Sequence, residues 1–304
     1  IRFTGREGDY GLGAIFINDE APGLNREPGD PLDGEKANIG ILRGFRDISE
    51  QSRVGFFLSD RVLGDGYNRV ASLDARFKLT DNWITQAQLV GTDSEPTLGG
   101  KSITGYQRNI QVNYTGRTVN SHSHFVETTD HFRTDLGFQN RFFKPDTSGI
   151  HNSVDLNFYP EGSSLNRWST GFFDVYLNDN DGTRIYHQFG PNLNFNWNTT
   201  GIGFSFTDYA EILRPQDFPG IITNTRYDYE TYQVNIFDNT LQTATFRANY
   251  REGRALNLVP PVGTLPYIAD TSRIDLSFLW RPLDQLSINN TYFLTELENR
   301  GGGA

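Results

Sequence analysis

The stretch from Asn192 to Thr207 constrains the fold more tightly than any other. Leu193, Phe195 and Trp197 share one parity and Asn192, Asn194, Asn196 and Asn198 the other. After Asn198-Thr199-Thr200-Gly201 the pattern resumes, with Ile202, Phe204 and Phe206 against Gly203, Ser205 and Thr207. Strand side chains point alternately to the two faces, so this is an antiparallel hairpin with one apolar face and one face of amides, hydroxyls and glycine. Two strands of this kind are marginal in water and must belong to a larger sheet. In a water-soluble sandwich the apolar face turns inward to a core; in a membrane barrel it turns outward to lipid, and the polar face lines a lumen.

Composition favours the second arrangement. Of 304 residues only 36% are hydrophobic, which is lean for a soluble core of this size, and the mean hydropathy is -0.53. Aromatics still reach 13%, with 23 Phe and 14 Tyr, so disorder is a poor explanation. The expected fold is therefore all-β: an antiparallel up-and-down transmembrane β-barrel of the bacterial outer membrane. No window approaches about 18 consecutive apolar residues, which excludes a helical span. A net charge of -10 argues against a nucleic-acid partner. Without Cys there are no disulfides, thiolate chemistry or Cys-based zinc sites. Met is absent and the chain opens on Ile1, which reads as a mature or partial chain without a signal peptide.

Strand character recurs near 1–6, 10–18, 38–46, 52–60, 68–79, 83–92, 104–115, 117–127, 149–159, 166–178, 184–198, 201–213, 222–237, 241–251, 271–281 and 286–297. That makes about 16 segments, most of them near the ~9–11 residues that a tilted strand needs to cross a bilayer. Short connections alternate with longer or more acidic ones at 19–37, 61–67, 93–103, 128–148, 179–183, 214–221 and 252–270, provided that 135–148 is a loop. Short turns on one rim and long loops on the other are the mark of a membrane barrel.

Trp83, Trp168, Trp197 and Trp280 all stand beside short turns. Tryptophan favours the membrane interface, where its ring meets hydrocarbon and its N–H meets water, so the four form a candidate interface girdle. Charges agree with this arrangement. Asp74, Arg76, Asp155, Arg247 and Asp275 oppose the apolar series of their own strands, and Asp208 is an exception near the long-loop end. With short turns on one rim, both chain ends fall on the long-loop rim. The expectation is one partial barrel domain over 1–304, with further strands and an N-terminal domain outside it.

Local wording supports this. Phe3 to Gly13 (FTGREGDYGLG), Ser52 to Gly55 (SRVG), Tyr67 to Asp74 (YNRVASLD) with Arg76-Phe77 and Thr80-Asp81-Asn82, and Asp135 to Phe138 (DLGF) resemble a bacterial family. It is the large C-terminal region, of unknown function, in surface proteins whose N-terminal domain is similar to a family 9 carbohydrate-binding module. The resemblance covers much of residues 1–160. It implies an outer-membrane barrel with a link to glycan binding or uptake, and it carries over no catalytic residues.

Candidate chemistry is sparse. His122 and His124 project to one face and could pair on a metal with His131 or Glu127, although lumenal polar residues near the long-loop rim are the better reading. Ser121 and Ser123 occupy the opposite face from these histidines, so a Ser-His hydrolase cannot form locally and no enzyme is expected. Asn178 to Thr183 resembles a calcium loop in Asp179 and Asp181, but Leu177 occupies the first ligand position and the closing Glu is missing. A hairpin connection explains it, and no cofactor is expected. The loop 129–148 carries Arg133, Arg141 and Lys144 among aromatics; it either folds inward as a constriction or lies on the surface. The reading is a non-enzymatic outer-membrane pore, conduit or surface anchor in contact with outer-membrane lipid and with glycans or other envelope proteins. The alternatives are a soluble or surface β-rich binding module and, behind it, a barrel hydrolase.

Overall fold

The computed structural model describes residues 1–24, 26–27, 29–137 and 145–299. It is all-β. The strands are β1 (Arg2–Glu7), β2 (Tyr10–Asp19), β3 (Ala37–Ser49), β4 (Ser52–Leu63), β5 (Gly66–Lys78), β6 (Trp83–Glu95), β7 (Ile103–Thr115) and β8 (Val119–Thr128). They continue with β9 (Thr147–Phe158), β10 (Leu165–Asp179), β11 (Arg184–Trp197), β12 (Thr200–Leu213), β13 (Thr225–Asp238), β14 (Ala244–Asn257), β15 (Tyr267–Leu283) and β16 (Leu286–Glu298). Each strand hydrogen-bonds to its neighbours in chain order from β1 to β16, an up-and-down meander of sixteen strands. No helix among the described residues is long and apolar enough to cross a membrane.

All sixteen expected strands are present, and residues 135–137 lie outside any strand, ahead of β9. One connection is corrected. The long loop expected over 61–67 is a two-residue turn, Gly64-Asp65, closed by a glycine at φ 59°, while Leu63 pairs with Gly66 and Val62 with Tyr67. A glycine adopts this left-handed backbone without the steric cost of a Cβ. The charges of Asp60, Arg61 and Asp65 disguise as a loop what is strand projecting past the apolar band.

Two compact units divide the chain: Ile1–Tyr114 with His122–Ile150 and Leu177–Thr183, and Thr115–Ser121 with His151–Tyr176 and Arg184–Ala304. In the first, cross-strand register aligns Phe56, Leu73, Leu89 and Arg108 on one face of β4–β7, and Gly55, Asp74, Gln88 and Asn109 on the other. In the second, Leu193, Phe204, Val234, Tyr250, Ile274 and Leu294 align across β11–β16, with Asn194, Gly203, Asn235, Asn249 and Asp275 behind them.

Burial runs opposite to that of a soluble protein. On the apolar face Leu73 and Tyr232 are 65% and 58% exposed, whereas on the polar face Asn68 and Glu211 are 1% and 2% exposed. Apolar side chains left open to the surroundings and polar ones covered is an arrangement that water does not reward. Toward the long-connection ends of β12–β15 the apolar face becomes charged, with Asp208 opposite Glu230, an ion pair between Glu230 and Arg254, and Arg254 opposite Asp270.

Candidate functional site

The polar face of β4–β7 in the first unit carries the richest chemistry. Period-two alternation places two rows side by side: Asp74, Gln88 and Asn109 in one, and Arg53, Arg76, Gln86 and Gln111 in the next. Arg53 and Arg76 are directly opposite, a destabilising pairing of like charges unless each is compensated. Both are. Arg53 Nε donates to Asp47 Oδ1 at 2.6 Å, and Arg76 donates to the main-chain carbonyl of Gln51. Arg43 grips Asp74 through two guanidinium nitrogens, one of them at 2.7 Å, and Arg6 reaches Asp47 at 2.8 Å. Asn109 Nδ2 donates to Gln88 Oε1 at 3.1 Å. Arg6 apart, these residues and the β3–β4 turn line an open hollow of about 660 Å³.

A loop segment closes one side of this wall. Residues 129–137 turn in over the polar face, and Phe132, 5% exposed, packs with Val70, Val90 and Phe57. Asn68 pins the segment by donating to Arg133 O at 2.9 Å and accepting from the Asp135 N–H at 2.9 Å, while it also donates to Ser94 Oγ at 2.7 Å. Gly105 makes the approach possible, because a Cβ there would stand 2.4 Å from the Phe132 main-chain nitrogen. A second hollow, of about 230 Å³, lies between this segment and the strands.

The predicted site residues fall as follows. Arg133 belongs to the inward segment, and its guanidinium is held by Asp135 at 2.6 Å, with Arg61 reaching the same carboxylate at 3.3 Å. One carboxylate is thus shared by two guanidiniums, a pairing that sequence reasoning did not weigh. Arg141 and Lys144 lie outside the described residues. His122 Nδ1 is 2.7 Å from Asn113 Oδ1 and His124 Nε2 is 3.4 Å from Gln111 Nε2, so both extend the amide rows. Their ring centroids are 6.0 Å apart. Glu127 cannot join them, since its parity puts it on the apolar face, bound to Arg108 at 3.0 Å. Asp179 and Asp181 both accept from the Thr183 N–H at 2.9 Å, within the β10–β11 turn. No group of three or more potential metal ligands occurs among the described residues.

Trp83, Trp197 and Trp280 stand on the apolar face beside short turns. Trp83 meets Tyr114 at 4.9 Å, and Trp168 stacks on Phe158 at 4.0 Å. The Arg108–Glu127 pair, with Tyr106 Oη donating to Glu127 at 2.8 Å, is a polar cluster on the apolar face for which the sequence offered one signal: two charged residues on the parity of apolar neighbours.

A scan against protein-family models finds no match, and a search of curated proteins finds none either. Solved structures do match. OpdQ of Pseudomonas aeruginosa superposes with a TM-score of 0.51 at 9% identity, over 95% of this chain and 90% of that one. OccK8 (OprE) of the same organism gives 0.50 at 9% identity, over 86% and 89%. The ferric citrate transporter FecA in its unliganded form gives 0.50 at 12% identity, over 99% of this chain and 56% of that one. At such identities the likeness is one of fold, and the fold is that of the bacterial outer-membrane β-barrel.

Proposed function

We propose that this chain is an integral outer-membrane barrel serving as a pore or conduit, with lipid against its apolar face and water against its polar face. The carrying observation is the inverted burial, with Leu73 open and Asn68 covered. The four tryptophans serve as the interface girdle along the short-turn rim. Residues 129–137 narrow the passage, and Arg133 contributes bulk and an ion pair that Asp135 shares with Arg61. The chemistry is non-enzymatic. Glycan uptake is the narrower reading, supported by the amide rows of the polar face.

Reconstitution tests this. The chain is expected to require detergent for extraction, to migrate faster unheated than boiled, and to give stepwise ion conductance in planar bilayers. Release into the aqueous fraction without detergent would reject the membrane assignment. Folded, bilayer-inserted protein without conductance would reject the pore.

A further inference from the structure

The 660 Å³ hollow on β4–β7 is within the ~300–1,000 Å³ range of small-molecule sites. Its six charges cancel: Arg43, Arg53 and Arg76 against Asp47, Glu50 and Asp74. Two of the guanidiniums are already bound to carboxylates of the same wall, Arg43 to Asp74 and Arg53 to Asp47. A charged solute gains no steering from a net-neutral wall and must break an existing ion pair to bind one of these partners. Arg76, whose guanidinium meets only a main-chain carbonyl, keeps a charge at the β3–β4 turn, and the capacity along β6 and β7 is neutral. Gln86, Gln88, Asn109 and Gln111 each present a donor and an acceptor, and the Gln86 side chain has no hydrogen-bond partner among the described residues. A solute hydroxyl is likewise both donor and acceptor, so it fits the open Gln86 amide and the donor and acceptor sites that Gln88, Asn109 and Gln111 have left. Phe57, which also packs with the Phe132 cluster, borders the hollow and supplies apolar surface for the C–H side of a sugar ring.

We infer that this hollow is a subsite for an uncharged polyhydroxylated solute of mono- to disaccharide size. The inference rests on the pore reading and names the solute class that the passage favours. It also locates the binding, on amides two residues apart on β6 and β7 rather than on the long connections.

The test uses the full chain in planar bilayers, with sucrose as probe and with gluconate and arginine as charged competitors. Sucrose is expected to reduce the current saturably. Gln86→Ala with Asn109→Ala is expected to raise the half-saturating concentration about tenfold, the loss of roughly two modest hydrogen bonds. Asp74→Asn frees the Arg43 guanidinium and is expected to create saturable block by gluconate that the parent lacks. Heat-modifiable migration reports that each variant has folded, and calorimetric titration of the solubilised protein with sucrose gives a second readout. Conductance that sucrose leaves unaltered, with no heat of binding, would overturn the subsite and leave the pore standing. Stronger block by arginine or gluconate than by sucrose would do the same. Absence of conductance together with absence of sucrose binding would remove both readings.

Discussion

Gly105 shows how a missing side chain lets a loop seat against a strand. The Phe132 backbone occupies the space that a Cβ would need, so substitution there acts on the loop and not on the strand that carries it. Gly105→Val is expected to lift residues 129–137 from the wall at a cost of about 1–3 kcal/mol, the usual scale of forced overpacking. Larger unitary conductance and faster tryptic cleavage after Arg133 are the readouts; if neither changes, the segment is not seated as described. Arg133 illustrates the same dependence on a neighbour. As an isolated cation it would bias ion passage in full, but Asp135 at 2.6 Å offsets one of the two positive charges, those of Arg133 and Arg61, that share it.

At the level of the strand, β7 and β8 carry a polar pair where lipid is expected. Arg108 and Glu127 share the face of Leu89 and Ile110, and each is tolerable there only because the other is present. Arg108→Leu alone leaves a lone carboxylate facing hydrocarbon and is expected to lower the unfolding midpoint in lipid; adding Glu127→Leu is expected to restore or exceed the parent value. Two additive losses would show that the pair faces water. For the indoles at the short turns, quenching by brominated lipids is expected to be strong for shallow labels and weak for deep ones. The strands themselves were legible because a period of two survives in any sheet with unlike faces, as at Ala71 to Leu79 and Asn192 to Thr207. The seating of Phe132 against Val70 and Val90 was not, because a loop has no period and its partners lie far away in the chain. The Gly64-Asp65 turn was hidden for a different reason: strand beyond the lipid band carries charges on both faces and resembles a loop in composition.

For the molecule as a whole, the faces of β13 fix how it sits in a bilayer. Its apolar side offers Tyr232, Val234 and Ile236 between Glu230 and Asp238. Eight residues of strand cover about 26 Å along their own axis, and a tilt near 40° leaves about 20 Å of height. A typical apolar band is about 25 Å tall. Folding yield into dilauroyl vesicles is therefore expected to exceed that into dioleoyl vesicles, and equal yields would argue against the short band. Acyl chains beside this flank must shorten or tilt to keep two carboxylates out of oil, at fractions of a kcal/mol for each ångström. Such a dimple is shared most cheaply with another protein whose wall is equally low, so the flank of β13 sorts its neighbours by height before any specific contact forms.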